Sequence, residues 1–369
     1  MGEVIFIKNW WAFQSKFFSN KWKYVLLTPW NFIEEWGFKL RGENDRFYTW
    51  NFPESYLLNK DDIIIAMTEQ AQGLLWSSAL IPESWKYLLN QRLWLLQFDK
   101  NIIDTYFIYT VFNQFKTRKY ITETSVWTKV KHTSPEKIYK FNLSLPSLPE
   151  QQKIAMFLSS IDEKIESLRT KKELLEKYKK WVMQGIFSRK IRFRDERGEE
   201  FGEWEERKLG EICEKQSSNI SANSLDNNNW KYKIYWATWF LKCIDFYQEE
   251  NDYISIVKDW AWVWRVLYCE WKSSVLWTLD KIKPKKWTNL YFLLFVLRNI
   301  NFTKYTIWST IPHIYFRDYW KEKLFFPSLP EQQKIADFLS GLDDKIEKFG
   351  QELESAERWK KGLLQEMFV

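Results

Sequence analysis

Two long segments of the chain carry apolar residues at alternating spacings of four and three, with charged residues between them. This is the heptad pattern typical of a coiled-coil helix, and each segment begins with a proline at a position that a first helical turn tolerates. At about 1.5 Å per residue, a helix of about 38 residues is near 55 Å long. The predicted helix–helix positions are Ile154, Leu158, Ile161, Ile165 and Leu168 in the first segment and Ile335, Leu339, Leu342, Ile346 and Phe349 in the second.

The two segments are copies of one sequence. Residues 146–166 read PSLPEQQKIAMFLSSIDEKIE, and residues 327–347 read PSLPEQQKIADFLSGLDDKIE, an offset of 181 residues. An internal repeat of this length fixes the architecture before any local prediction. We expect the helices to pair antiparallel, with a globular domain at each end, although the heptads alone leave parallel pairing open. We also expect the first four positions of each helix, Ile154 to Ile165 and Ile335 to Ile346, to face one another.

Alternating apolar residues and turn signals elsewhere predict two α+β domains with curved β-sheets. The predicted strands are Tyr24–Leu27, Asp62–Met67, Arg92–Phe98, Tyr253–Val257 and Val263–Cys269, and the predicted helices are Thr105–Phe115 and Leu290–Arg298. Leu209–Ile212 is expected to be the first ordered element of the second domain. The predicted boundaries are 1–147 for the first domain, 148–188 for the first helix, 189–200 for a charged linker, 201–327 for the second domain and 328–369 for the second helix.

Composition narrows the possible functions only slightly. The net charge of +7 is compatible with a polyanionic partner. Three cysteines without a C-x-x-C pair predict neither a disulfide framework nor a zinc site and fit a reducing cytoplasm. No apolar run is long enough to predict a membrane span. We find no nucleotide-binding loop, metal-ligand cluster or methyltransferase motif, so we expect no catalytic residues and no metal.

Tryptophan is abundant, at 24 residues, whereas glycine numbers only 11. Many of the tryptophans stand where turns call for glycine. The repeat places Trp181 opposite Gly362. We hypothesise that UGA codons meaning glycine in the source were translated as tryptophan, with Trp204 a genuine tryptophan. Trp260, Trp262, Trp264 and Trp308 are the positions at which we most expect a positive φ angle or a protruding side chain. The alternative is a protein that uses many aromatic residues for binding.

The chain resembles the specificity subunit of type I restriction–modification systems. The residues that carry the resemblance are PSLPEQQKIA at 146–155 and 327–336, Ile161–Ile165 with its second copy, Met183–Phe187, Ile191–Phe193, Trp204–Ile212, Leu27–Phe32, Asn90–Leu93 and Ser309–Pro312. The family's Trp-x-x-x-x-Leu-Gly-Glu opening is absent before Lys8. We therefore expect the first domain to lack its initial strand, or the gene start to be misplaced.

The resemblance implies a non-catalytic subunit with two target-recognition domains, each reading half of a bipartite, asymmetric site in double-stranded DNA. It implies two modification subunits that methylate adenine with S-adenosylmethionine, and restriction subunits that use ATP and Mg for cleavage. No cofactor is expected in this chain, and no membrane partner. The alternative class is a coiled-coil scaffold with two protein-interaction domains.

Base and phosphate contacts need cationic or amide side chains or threonine on an exposed surface. The candidates are Arg41, Arg46, Lys129 and Lys131 in the first domain and Lys258, Arg265, Lys304 and Thr310 in the second. Any one of them could equally be a solvated surface charge. The only two histidines, His132 and His313, occupy the same repeat position, and we expect a structural role for both.

Overall fold

The computed structural model describes residues 1–8, 11–33, 37–67, 77–124, 134–225, 231–259, 262–308 and 311–367. The chain divides into two compact units. Unit 1 comprises Met1–Ser167 and Glu352–Val369, and unit 2 comprises Leu168–Gln351. Each unit therefore contains one globular domain together with part of both repeat helices.

Within its described residues, unit 1 contains two four-stranded sheets, and the one with the longer strands is called the larger sheet. Its strands are β1 (Ile5–Lys8), β2 (Phe18–Ser19), β3 (Tyr24–Leu26), β4 (Phe47–Tyr48), β5 (Ile63–Ala66), β6 (Ser78–Leu80), β7 (Tyr87–Leu88) and β8 (Leu93–Phe98). The larger sheet has the order β1-β8-β5-β6 and is antiparallel. The smaller sheet has the order β2-β4-β3-β7, in which β3 and β7 are parallel. The helices are α1 (Thr105–Asn113), α2 (Phe115–Thr124), α3 (Pro135–Tyr139) and α4 (Leu148–Phe187), the last of which continues into unit 2.

The central strands of the larger sheet of unit 1, β5 and β8, are buried on both faces over most of their length. In β5, Ile63 and Ile65 pack in the cluster that includes α1, whereas Ile64 and Ala66 pack in the cluster on the other side. Successive side chains of a strand point to opposite faces, so a continuous apolar run is required here. Asp104 caps the N-terminus of helix α1, because its carboxylate accepts a hydrogen bond from the Phe107 N–H.

Unit 2 repeats this topology. Its strands are β9 (Glu205–Lys208), β10 (Cys213–Ser217), β11 (Tyr232–Trp236), β12 (Trp239–Ile244), β13 (Tyr253–Val257), β14 (Val266–Cys269), β15 (Ser274–Val275), β16 (Leu279–Pro284) and β17 (Lys323–Phe326). The sheet order β10-β16-β13-β14 matches β1-β8-β5-β6, and the parallel pair β11–β15 matches β3–β7. The helices are α5 (Leu209–Ile212), α6 (Leu290–Asn299), α7 (Phe316–Tyr319) and α8 (Leu329–Met367).

The two long helices pair antiparallel. In unit 1, Leu158, Ile161 and Ile165 of α4 pack with residues near the end of α8, namely Leu353, Ala356, Leu363 and Leu364. In unit 2, Val182 and Ile186 near the end of α4 share a cluster with residues near the start of α8, namely Ile335, Ala336, Leu339 and Leu342. Leu168 is buried, and Ile346 and Phe349 are half-buried.

The predicted residue-by-residue facing of the two helices is therefore wrong. Ile154 and Ile165 do not meet Ile335 and Ile346, because antiparallel pairing brings the start of each helix to the end of the other. The antiparallel direction itself is as expected.

The first ordered element of the second domain is not Leu209–Ile212. Strand β9 precedes it and pairs with β17, with Glu205 opposite Phe326 and Lys208 opposite Lys323. Within its described residues, unit 1 has no counterpart of β9. It does have a counterpart of the Leu209–Glu211 segment that follows β9. Gly2 N–H donates to the Tyr139 carbonyl at 3.1 Å, as Gly210 N–H donates to the Trp320 carbonyl at 2.9 Å. Met1–Glu3 thus occupies the position of Leu209–Glu211.

Several tryptophans have backbone angles that suit glycine. Trp85, Trp264 and Trp287 have φ angles of 65°, 69° and 74°, a region that bulky side chains rarely occupy. Trp262 and Trp308 are 55% and 70% exposed. The placement predicted for Trp264, Trp262 and Trp308 is confirmed, while Trp260 lies outside the described residues. By contrast Trp204 is buried, as a genuine tryptophan would be.

Candidate nucleic-acid interface

A group of exposed lysines lies on the smaller sheet of unit 1. Lys16, Lys21 and Lys23 lie on or beside β2 and β3, and all three are exposed. Lys16 lies over the Phe17 ring at 4.9 Å, and Lys23 lies over the Tyr24 ring at 4.9 Å. Within the described chain none of the three has a carboxylate at salt-bridge distance. We call these three residues the lysine patch.

Two arginines predicted from the sequence lie close to this sheet. The Arg46 guanidinium lies 5.4 Å from the centre of the Phe18 ring, and the Arg46 carbonyl accepts a hydrogen bond from Leu26 N–H. The Arg41 guanidinium lies 6.0 Å from the Trp30 ring centre, and its backbone N–H donates to Asp45. Exposed cations can meet the phosphates of a DNA duplex, and the rings beside them help to hold the cationic side chains in place by cation–π attraction. Lys129 and Lys131 lie outside the described residues.

The candidates in unit 2 are engaged by other groups. Lys304 Nζ lies 2.7 Å from a Glu322 carboxylate oxygen, and this hydrogen bond raises the pKa of Lys304. Arg265 lies over the Trp262 ring and reaches the Ala237 carbonyl at 3.4 Å. Thr310 lies outside the described residues. A role for any of these residues in DNA contact stays a prediction.

Lys258 lines a cavity of unit 2 with a volume of about 660 Å³. Its Nζ lies 3.2 Å from the buried Asp280 carboxylate, and Lys215 Nζ lies 3.8 Å from the same oxygen. Burial raises the pKa of the neighbouring Asp259. Arg317 and three aromatic residues, Tyr315, Phe316 and Trp320, complete the wall. Asp280 offsets part of the charge of the two lysines, so this cavity is less cationic than its lysine content suggests.

The histidine prediction is tested at one position. The backbone of His313 bridges to Ile307 and Asp259, and its ring nitrogen Nδ1 lies 3.2 Å from the Ile311 carbonyl. These contacts indicate a structural role. His132 lies outside the described residues.

The lysine patch was missed at the level of sequence. Strand β2, beside which the three lysines lie, has only two residues, too few to show an alternating pattern. The available signal was the absence of acidic residues between Phe13 and Ile33, a stretch that contains all three lysines.

Groups of acidic, histidine and cysteine side chains that could hold a metal ion are absent from the described residues. In the same part of the chain, no helix has the length and apolar character needed to cross a membrane.

Comparison with known proteins identifies the class. The model of the type I restriction modification DNA specificity domain matches residues 48–177 and 202–358. The chain is 24% identical over 350 residues to the type I restriction enzyme MjaVIII specificity subunit of Methanocaldococcus jannaschii, covering 84% of this chain and 78% of that protein. It is 26% identical over 188 residues to the EcoBI specificity subunit of Escherichia coli, covering 51% of this chain and 37% of that protein.

The fold agrees with these matches. The crystal structure of the S subunit of a type I restriction–modification system from M. genitalium superposes with a TM-score of 0.69 at 16% identity, covering 100% of this chain and 94% of that one. The two matched domains and the paired helices define a DNA-specificity protein. The chain belongs to the family of type I restriction–modification specificity subunits. Its partners are therefore DNA and other subunits of a type I complex.

Proposed function

We propose that this chain reads a bipartite, asymmetric site in double-stranded DNA, one half-site per unit. The observation that carries the proposal is that two units share one sheet topology while their candidate surfaces differ. Unit 1 presents the lysine patch, whereas Lys258 and Lys304 of unit 2 are paired with carboxylates. Two similar folds with different surfaces are suited to bind two different DNA half-sites that together form one recognition site. The gap between half-sites is set by the helical pair, much as half-site spacing follows the geometry of dimeric repressors.

The same chain directs two modification subunits and the restriction subunits to that site. The support is the internal symmetry of the helical pair. Asp162 pairs with Lys360 in unit 1, and Asp343 pairs with Lys179 in unit 2. The repeat converts each pair into the other, so the helices offer two equivalent surfaces for two copies of one partner. S-adenosylmethionine, ATP and Mg belong to those partners, which perform adenine methylation and cleavage.

The lysine patch supplies phosphate contacts for unit 1. The test is DNA affinity of the reconstituted complex, measured by fluorescence anisotropy across salt concentrations. A protein that neutralises Z phosphates shows a salt slope of about −0.9Z, so replacing Lys16, Lys21 and Lys23 by alanine should reduce that slope by about 2.7. The matched control removes the same charge elsewhere in unit 1, at the exposed lysines Lys60, Lys100 and Lys140.

The control should leave the slope near the wild-type value. Equal losses in both variants would mean that only net charge matters and that the patch is not a contact site. A complex that binds no DNA at all would favour the scaffold alternative.

A further inference from the structure

The cavity of unit 2 contains charged groups that the fold itself does not require. The Asp280 side chain on β16 is almost fully buried, and its carboxylate accepts hydrogen bonds from Lys258 Nζ and Ser217 Oγ, each at 3.2 Å. Lys215 on β10 lies beside it, with 3.8 Å between Nζ and the same carboxylate oxygen. Burying charged groups is costly even when they are paired. A buried cluster of this kind therefore indicates a function if the same fold can be built without it.

Unit 1 is built on the same fold without these charges. The strand pairings of the two units give each charged residue of the cluster an apolar counterpart. The counterparts of Lys215, Lys258 and Asp280 are, respectively, Ile7, Met67 and Trp94. All three counterparts pack in the apolar cluster that includes α1. The position that is apolar core in unit 1 is thus a charged cavity in unit 2, and we attribute the charges to what the cavity binds.

Two cations of the cavity are available to a ligand. The Lys215 side chain is 32% exposed, and its distance from the Asp280 carboxylate is too long for a hydrogen bond. The Arg317 side chain is 77% exposed, and its Nε lies 3.8 Å from an Asp318 carboxylate oxygen. Lys215 and Arg317 can therefore turn toward an anionic group at the mouth of the cavity without losing a hydrogen bond to any described residue.

The cavity also offers an aromatic surface and a hydrogen-bond acceptor. Tyr315 lines it and is 42% exposed, with the Arg317 guanidinium 4.8 Å from the centre of its ring. Asp259 lines it from the loop after β13, and no described residue donates a hydrogen bond to its carboxylate. Burial raises the pKa of Asp259, so water solvates this carboxylate poorly. A donor on a ligand would supply the hydrogen bond that the carboxylate lacks.

We propose that this cavity binds a free nucleotide whose base carries an amino group, as adenine does. The phosphate pairs with Lys215 and Arg317. The base packs against the Tyr315 ring, and its amino group donates to Asp259. Bases stack on aromatic rings, and carboxylates accept hydrogen bonds from base amino groups. The cavity volume of about 660 Å³ lies within the range of small-molecule sites.

The test is isothermal titration calorimetry of the full chain with adenosine monophosphate (AMP), in the absence of any partner subunit. We expect saturable binding of one AMP per chain. Inosine monophosphate (IMP) has a carbonyl in place of the amino group. It should bind about tenfold more weakly, because the Asp259 carboxylate would then face a second acceptor. Asp259→Asn should remove this preference, because an amide both donates and accepts.

A second variant tests the phosphate contact. Arg317→Gln should weaken AMP binding about tenfold, because a charge-assisted hydrogen bond is lost. Adenosine, which has no phosphate, should bind this variant and the wild type alike. The matched control is Arg207→Gln, which alters an exposed arginine of β9 that does not line the cavity and should leave AMP binding unchanged. Circular dichroism of each variant checks that the fold is kept.

Three results would overturn the proposal. The first is the absence of saturable AMP binding by the wild type. The second is equal affinity of the wild type for AMP and IMP, a comparison that needs no variant. The third is equal AMP binding by Arg317→Gln and the wild type. If AMP does not bind but Arg317→Gln weakens binding of a DNA duplex, the cavity belongs to the DNA-contacting surface of unit 2 and the free nucleotide is the wrong ligand.

Discussion

The buried Asp162–Lys360 pair offers a sharp test of how the two helices recognise each other. The Lys360 side chain is 8% exposed and the Asp162 side chain 32%. Tyr106 also donates its hydroxyl to Asp162. Burial lowers the pKa of Lys360 even though Asp162 favours its charged form. The pair is therefore a desolvated contact whose energy depends on matched charges.

Charge matching also favours the antiparallel direction. If the two repeat copies paired parallel and in register, Asp162 would face Asp343, and Lys179 would face Lys360. Both contacts would then be between like charges. The antiparallel register replaces them with two ion pairs, so we expect these four residues to select the direction that the apolar seam leaves open.

We predict that Lys360→Glu destabilises the helix end in unit 1. Two like charges about 4 Å apart repel by about 4 kcal/mol at an effective dielectric constant of 20. Since Asp162 is about one-third exposed, solvent screening reduces the expected loss to about 2 kcal/mol. Adding Asp162→Lys should restore most of it, short by about 1 kcal/mol for the lost Tyr106 hydrogen bond. Lys361→Glu, at the exposed neighbouring position, is the matched control.

Hydrogen exchange of residues 353–367 reports this region directly, and urea denaturation gives the free energy of unfolding. The expected result is faster exchange in Lys360→Glu alone, reversed in the double variant. If the control and Lys360→Glu lose the same stability, or if the second substitution makes the first worse, the pair does not specify the register.

Three further predictions concern backbone strain, helix length and thiol reactivity. Trp264→Gly and Trp287→Gly should each raise the free energy of unfolding by about 0.5–1 kcal/mol, because relief of left-handed strain exceeds the added entropy of the unfolded chain; a loss on urea denaturation would contradict the glycine hypothesis. A heptad inserted after Thr170 and another after Gln351 should widen the methylated gap by roughly three base pairs, since seven residues add about 10 Å of helix and a base pair about 3.4 Å; changed half-sites with an unchanged gap would refute the spacer. Iodoacetamide should label half-buried Cys243 first in the native chain, because the other two cysteines are buried and burial raises their thiol pKa; mass spectrometry showing equal labelling would contradict this.

The elements with strong periodicity could be predicted from the sequence. The apolar run that forms β5 and the heptads of α4 and α8 carry their own signal, because burial on defined faces imposes it. Strand β9 could not be found in this way. All four of its residues are exposed and all four are charged. No alternation of apolar and polar residues therefore marks the strand, and only its pairing with β17 defines it.

The candidate DNA contacts show a second limit. Whether a lysine is available depends on partners distant in sequence. Lys304 meets Glu322, and Lys258 meets Asp280. Neither carboxylate is adjacent in the chain, so spacing gives no warning. The helix pairing failed at the residue level for a related reason, since a heptad defines a face but not the register at which its partner packs.

The central claim is that each unit reads its own half of a gapped DNA site. The most direct measurement is methylation mapping by single-molecule sequencing, in cells that express this chain with its modification subunits. The account predicts one asymmetric motif of two half-sites separated by a fixed gap. Replacing residues 201–326 with the corresponding domain of another specificity subunit should alter one half-site and preserve both the other half-site and the gap. A continuous motif, or a domain exchange that changes both half-sites, would contradict it.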